Sequence, residues 1–494
     1  MFAYIIKYIS TICLTLALNQ ISSAANASDT IRLTLQEAII RAHQNSPTAQ
    51  SARHQFLAAY WNYRYFKANY LPSVRMTTSP VLNRQINSIT QGDGTSLFVK
   101  QNQLTTDVSL SVSQNISLTG GTIFLETSLA RMDELEQKRK SYRAQPLQIG
   151  FQQNLFGYNS LKWDKKIEPL QFQQAKKSYA EALELVAAQT CNVFFSWITA
   201  KSNLEMAHVN YASADTLYRM ALGRYEIGSI NESDMLQLDI NRLNEETQCM
   251  DAEVSLQECS QSLYYLLGIP EDANIILIMP EEIPSFEVPL DKALVLAMEN
   301  SPEPDMYTLN MIQSESNLAY AKANAGLRAD LYAQFGLSQT GNHLKESYKN
   351  LSQQEYVSLS VTIPLLDWGR GRGAVRVARS RRDNVETEAK RGIQVFRQNV
   401  QKLVMQYNMQ SHKVDVASRT MSQANQRYNV AKHLYILGRN TILDLNSATT
   451  EKDSARRNYI YSLQTYWSLY YTLRSMTGYD FWLNMPLSEL LPIE

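Results

Sequence analysis

From Leu183 onward, residues of one column recur every seven positions: Leu183, Thr190, Trp197, Leu204, Tyr211, Tyr218 and Tyr225, with Val186, Val193, Ala200, Ala207, Ala214 and Ala221 as a second column three residues later. The same two columns return 210 residues on, as Ile393, Val400, Tyr407, Val414, Met421, Tyr428 and Tyr435 beside Phe396, Leu403, Gln410, Ala417, Ala424 and Ala431. A strict seven-residue period sustained this long implies helices wound left-handedly on their neighbours, and an alanine column lets those neighbours approach closely. Between Gly373 and Leu437 there is no proline and a single interior glycine, Gly392, so one helix there runs close to ~100 Å at ~1.5 Å per residue. A rod of that length has no compact globular core to pack into. Each heptad segment ends in Tyr-x-x-Gly, at Tyr225 to Gly228 and at Tyr435 to Gly438, and a second helix follows, over about 230–267 and about 441–476. The glycines are expected at the turns of two helical hairpins, where a left-handed residue ends a helix.

Ahead of each long helix the period changes to two. Val108, Leu110 and Val112 alternate with Ser109, Ser111 and Ser113; Leu147, Ile149 and Phe151 alternate with Gln148, Gly150 and Gln152. In the second half Leu331, Ala333, Phe335 and Leu337 alternate with Tyr332, Gln334, Gly336 and Ser338, and Val357, Leu359, Val361 and Ile363 with Ser358, Ser360 and Thr362. These are strands with one apolar face and one face of small polar residues. The pattern suits a membrane barrel, with lipid outside and water within, and a soluble sandwich would also show it. One protomer offers too few strands to close a barrel, so closure requires several copies around an axis.

The chain is a duplication. Leu33 to Ala38 and Asn45-Ser46-Pro47 match Val288 to Ala293 and Asn300-Ser301-Pro302 at an offset of 255, whereas Tyr225, Gly228, Asp234 and Gly268 match Tyr435, Gly438, Asp444 and Gly478 at 210. The first half therefore carries about 45 extra residues between Pro72 and Leu155. This reading divides the chain into a signal segment over 1–27, a first repeat over 28–287, a second over 288–478 and a tail over 479–494. The insertion contains 104–114 and 122–129 joined through Gly120-Gly121, a hairpin that either widens the barrel or extends outside the cell.

Composition removes several function classes. The 494 residues carry 47 Lys plus Arg against 47 Asp plus Glu, so there is no basic excess for phosphate neutralisation, and nucleic acid is not expected as a partner. No two of the six His share the close helical spacing of a zinc site, and no metal or cofactor is expected. Lys7, the apolar run from Ile9 to Leu18 and Ala25-Asn26-Ala27 form a secretory signal, too short to span a bilayer. Its removal takes Lys7 and Cys13 and leaves 46 basic against 47 acidic side chains. The remaining Cys191, Cys249 and Cys259 are odd in number and read as small hydrophobes on helices rather than a disulfide framework. No nucleophile, base and orienting residue stand out as a hydrolase site, and no enzyme activity is expected. Gly369-Arg370-Gly371-Arg372-Gly373-Ala374 superficially fits a dinucleotide fingerprint, but the helix after it is about 65 residues long and no return strand follows. It reads better as a strand-to-helix transition, with Trp368 and its repeat partner Tyr158 as interfacial aromatics and the arginines from Arg370 to Arg382 on a solvated face or near lipid phosphates.

The duplicated order of helix, Asn-Ser-Pro, helix, strands, heptad helix, glycine turn and helix resembles the TolC-like outer-membrane efflux channels, from Leu33 to Gly478. The resemblance implies a mixed, mainly α fold: a homotrimer in which each protomer gives four strands to a twelve-stranded transmembrane β-barrel continuous with a long periplasmic α-helical barrel. It implies a Gram-negative outer membrane as the location and outer-membrane lipid as one partner. A periplasmic adaptor (membrane fusion protein) and an inner-membrane pump of the RND or ABC class are the others, docked at the hairpin tips around Gly228 and Gly438. No chemistry is catalysed. By the same resemblance Asp444 falls on the aspartate ringing the closed entrance, Ser447 stands where a second aspartate is found, and Asn440 stands where an arginine is found. Ser233 and Asp234 match the acceptors of the lock that holds the tip, and Tyr435 its tyrosine donor. Three Asp444 carboxylates around a narrow axis would attract cations and repel anions. Either aspartate equally suits a helix N-terminus. A non-conducting periplasmic or surface coiled-coil scaffold is the alternative from a different class.

Overall fold

The computed structural model describes residues 31–487 except 93, 271, 272, 281, 285 and 438, and excepting the side chains of 89 and 99. The signal segment and Gly438 lie outside the described residues. The chain forms two compact units, each assembled from both halves: one comprises residues up to Gln55, Lys177–Ser301 and the chain from Arg397, the other Phe56–Lys176 and Pro302–Phe396.

The first half runs β1 (Ile31–Thr34), α1 (Leu35–Asn45), α2 (Pro47–Ala68), β2 (Ser73–Thr90), β3 (Ser96–Ile116), β4 (Gly121–Glu134), β5 (Arg139–Leu155), α3 (Ser160–Glu226), α4 (Glu232–Leu267) and β6 (Ile275–Ile278). The second runs α5 (Leu290–Asn300), α6 (Pro302–Ala325), β7 (Arg328–Gly341), a 3₁₀ turn (Glu346–Tyr348), β8 (Ser352–Thr362), α7 (Arg370–Ile436), α8 (Ile442–Thr477) and the short pair β9 (Tyr479–Asp480) and β10 (Met485–Pro486). Helices α1 and α5 keep the offset of 255 at both ends, and α3 with α7 and α4 with α8 keep 210 at both ends. The duplication is therefore one of structure as well as of sequence.

In the first unit the heptad seam is the core. Val186, Ala200, Ala207, Ala214 and Ala221 are buried on α3, and Leu403, Gln410, Ala417, Ala424 and Ala431 are all buried on α7. Gln410 breaks the apolar column without cost because its Nε2 donates to the Ser462 carbonyl at 3.0 Å. Tyr407 and Tyr466 join hydroxyls at 2.8 Å, and Tyr466 donates to the Pro284 carbonyl at 2.6 Å. One charged cluster is buried with them: Arg474 meets Glu184 at 2.9 Å and Asp480 at 3.0 Å. Cys191 is fully buried; Cys249 and Cys259 are half-buried, and all three are free and helical.

The second unit holds one antiparallel sheet in the order β2-β3-β4-β5-β7-β8. The sheet has six strands, two more than the four barrel strands per protomer that the resemblance implies. Offsets place β2 opposite β7 and β5 opposite β8 in the duplication, so the inserted residues are the β3–β4 hairpin, which pairs with β2 on one side and β5 on the other. Strand β2 is not evident from the sequence, because Thr78 and Pro80 fall on the face that Val74 and Met76 begin and so break its alternation. Ring stacking fixes α2 on α3, with Tyr63 and Phe172 parallel at 4.7 Å. Tyr158 is not at a free surface; it is half-buried, bonded to Ser316 at 2.6 Å and edge-on to Tyr320. Trp368, in contrast, is 90 % exposed.

Candidate gate at the hairpin tips

Both tips are built by the same local rule. At the first, Gly228 takes φ of +74°, its N–H bonds the Tyr225 carbonyl at 2.9 Å, and Ser229 N–H reaches back five residues to the Arg224 carbonyl at 2.7 Å. At the second, Arg439 N–H reaches back five residues to the Leu434 carbonyl at 2.9 Å. This six-to-one bond closes the last turn of a helix whose terminal carbonyls have no intrahelical donor.

The helices that leave the tips are capped differently. Asn231 Oδ1 accepts from Asp234 N–H at 2.8 Å. Thr441 and Asp444 form a reciprocal capping box: Asp444 N–H donates to Thr441 Oγ1 at 3.2 Å, and Thr441 donates to Asp444 Oδ2 from its hydroxyl at 2.6 Å and from its N–H at 3.2 Å. These bonds, helped by Arg427, hold the Asp444 carboxyl below its ordinary range. Asp444 is thus a cap and remains solvent-exposed. The Asp234 carboxylate makes no hydrogen bond among the described residues. Its exposed side chain is free to meet a partner.

Tyr435 packs beside Tyr428, Ala431, Leu445 and Ala448, with Leu217 of the first hairpin against the same cluster. Burial lifts its phenol above the ordinary range; Arg224 opposes this and Asp234 adds to it, so both side chains of the first tip lie within electrostatic reach. Among the described residues of the protomer no hydrogen bond joins Tyr435 to Asp234. Ser233 and Ser447 are exposed and Asn440 is half-buried. Sequence reasoning overlooked the polar tie farther along the hairpins, where Asn210 Nδ2 donates to Asp453 Oδ2 at 2.7 Å and Lys452 Nζ to Asn210 Oδ1 at 3.3 Å. A buried asparagine beside an alanine column was its only signal. Among the described residues of the tips, Ile227 at 77 % and Leu443 at 79 % exposure are the most open large apolar side chains.

The glycine-rich run at the start of α7 is already occupied by its own chain. Asp367 accepts from Gly369 N–H at 2.9 Å and from Gly371 N–H at 2.8 Å, filling the site where a phosphate would bind a helix N-terminus.

The sequence model for the outer membrane efflux protein family matches residues 38–269 and 307–479, both halves of the duplication. The chain belongs to that family. No curated protein sequence matches it. Among solved structures, the CmeC outer membrane channel of Campylobacter jejuni superposes with a TM-score of 0.67 at 15 % identity, covering 90 % of this chain and 85 % of that one. A membrane protein from Pseudomonas aeruginosa gives 0.64 at 16 % identity over 90 % of each chain. The outer membrane protein VceC from Vibrio cholerae gives 0.63 at 15 % identity over 90 % and 96 %. The fold of this efflux protein is therefore TolC-like, and its place is the Gram-negative outer membrane with an extension into the periplasm.

Proposed function

We propose that this efflux protein is the passive outer-membrane conduit of a tripartite export system. Three copies pair β8 of one protomer with β2 of the next, closing a barrel in the outer membrane, and their helical hairpins surround a periplasmic tunnel. The tips dock on a periplasmic adaptor linked to an inner-membrane pump, which supplies both the energy and the choice of cargo.

The observation that carries this reading is the two-faced, single-layer sheet. Val357, Leu359 and Val361 on one face are exposed, Ser358 and Ser360 occupy the other, and among the described residues neither outer edge of the sheet has a partner strand. Apolar side chains left in water are unfavourable by roughly 25 cal/mol per Å², and open strand edges invite pairing; lipid and neighbouring copies remove both problems. At the closed entrance three Asp444 carboxylates narrow the axis and favour cations, and Asp234 and Tyr435 form the lock between neighbouring hairpins. Docking of the adaptor on Gly228, Gly438 and the apolar Ile227 and Leu443 opens it.

Purified protein in planar bilayers is expected to give single-channel currents that prefer cations. Silent bilayers from folded trimers would contradict the conduit and favour a non-conducting scaffold.

A further inference from the structure

The inserted hairpin has the same two faces as the rest of the sheet, and in the same register. Opposed residues of an antiparallel pair lie on one face, so the ladders identify the sides directly. Leu110 lies opposite Met76, Val112 is opposite Val74 and Leu125, and Leu125 is opposite Ile149, which is opposite Phe335. Met76, Leu110, Leu125, Ile149 and Phe335 are all exposed in the protomer. The apolar band thus runs without a break from β2 through the insertion to β7.

The other face is equally continuous. Ser109 is opposite Thr77 and Ser128; Ser111 is opposite Arg75 and Glu126, and Glu126 is opposite Gln148. Phe124, from the inserted β4, lies 6.0 Å from Tyr332 of β7, which lies 5.8 Å from Tyr356 of β8. Gly150 lies between, and Phe124 occupies the space its side chain would need. An appendage projecting away from the membrane would have no reason to line up Val108, Leu110, Val112, Leu125 and Leu129 with the apolar face of its neighbours. Toward the far end that face turns polar, first at Thr106 opposite Arg131 and at Asp133 opposite Leu104, then at Arg84, Asn102 and Lys100, where β2 and β3 outrun β4.

We infer that β3 and β4 cross the outer membrane, so that three copies close an eighteen-stranded barrel in place of twelve strands. The inference rests on the trimeric barrel proposed above. Six strands per protomer is an even number, so β8 of one copy runs antiparallel to β2 of the next and the ring closes without a parallel pair. Barrel diameter grows roughly linearly with strand number, so the outer opening is about one and a half times as wide as twelve strands give. The added lumen surface carries Ser109, Ser111, Ser113 and Glu126, and the aromatic Phe124, tilted toward Tyr332. The exit is built for hydrated cargo too bulky for the narrower barrel.

Single cysteines read by a membrane-impermeant maleimide test this in the full chain in outer membranes, with the unsubstituted protein giving the background from Cys249 and Cys259. Ser109→Cys and Glu126→Cys are expected to label, and Leu110→Cys and Leu125→Cys to stay at least tenfold lower, as for Ser358→Cys against Leu359→Cys in β8. If all four insertion sites label while the β8 contrast persists, the hairpin lies outside the membrane and the eighteen-stranded barrel is wrong. If the β8 contrast is lost too, the barrel itself is wrong. A strand count in images of the unsubstituted particle decides the same question without any substitution: eighteen supports the inference and twelve overturns it.

Discussion

Asn300 donates from Nδ2 to the Thr477 carbonyl at 3.1 Å, and its Cβ stands 2.5 Å from where a Cβ at position 478 would sit. The first repeat does the same: Asn45 donates to the Leu267 carbonyl at 3.4 Å, with its Cβ 2.9 Å from a Cβ built on Gly268. This pairing explains why Asn-Ser-Pro and a distant glycine recur together. The asparagine satisfies the last turn of α4 or α8, and at 46 the serine accepts from Ala49 N–H to start the next helix, with proline at its first position. Gly268 and Gly478, at φ of +61° and +59°, must lack a side chain twice over.

Gly478→Ala is therefore expected to lower stability by about 1–2 kcal/mol from the left-handed backbone alone, with the clash against Asn300 adding to it. Asn300→Ala forfeits one hydrogen bond and leaves a part-buried carbonyl short of a donor, roughly 1–2 kcal/mol. Denaturant midpoints of the detergent-solubilised protein check both, with Asn300→Ala the milder.

The alanine column sets how closely the hairpins pack. Ala214→Leu and Ala424→Leu force bulk into buried positions and are expected to cost about 1–3 kcal/mol each. Leucine at an exposed helix site, such as Thr420→Leu, is expected to change little. Thermal onset of aggregation separates the two groups.

Glu184 supplies a pH dependence. Burial pushes its carboxyl up to about 7, against the pull of Arg474 at 2.9 Å. Because the unfolded chain ionises near 4.5 and the folded one near 7, the folded state loses stability as pH rises through that window and levels off above it. Glu184→Gln keeps a polar partner for Arg474 and is expected to flatten this slope, as read by denaturant midpoints between pH 4 and 8.

At the tip the sign is opposite. Thr441 holds the Asp444 carboxyl low, so its charge and the capping box persist until pH falls below the ordinary aspartate range. Thr441→Ala removes the two bonds of the hydroxyl and leaves the backbone one, and acid loss of cation preference in bilayers is expected to move to higher pH. Thr441→Ser should restore it. Asp444→Asn should weaken cation preference at every pH; unchanged selectivity would remove Asp444 from the gate.

Much of this architecture is legible in the chain because the duplication writes each helix twice. The columns around Ala214 and Ala424 mark the long helices, and Gly228 marks a hairpin turn that the structure forms. What stays hidden depends on pairing rather than on pattern. Strand β2 carries Thr78 and Pro80 on its apolar face, and nothing local to Ser109 or Leu125 says that the insertion lies inside the sheet. The capping role of Asp444 is readable from Thr441 three residues earlier. The Asn210 to Asp453 tie joins residues 243 apart, and an asparagine beside the alanine column does not name its partner.

The central claim is that copies of this chain surround a water-filled axis. Images of the purified particle viewed down that axis test it most directly. A threefold ring of sheets and paired hairpins around an open centre is the expected result. A single chain whose serine-lined sheet face is packed against its own helices would contradict it.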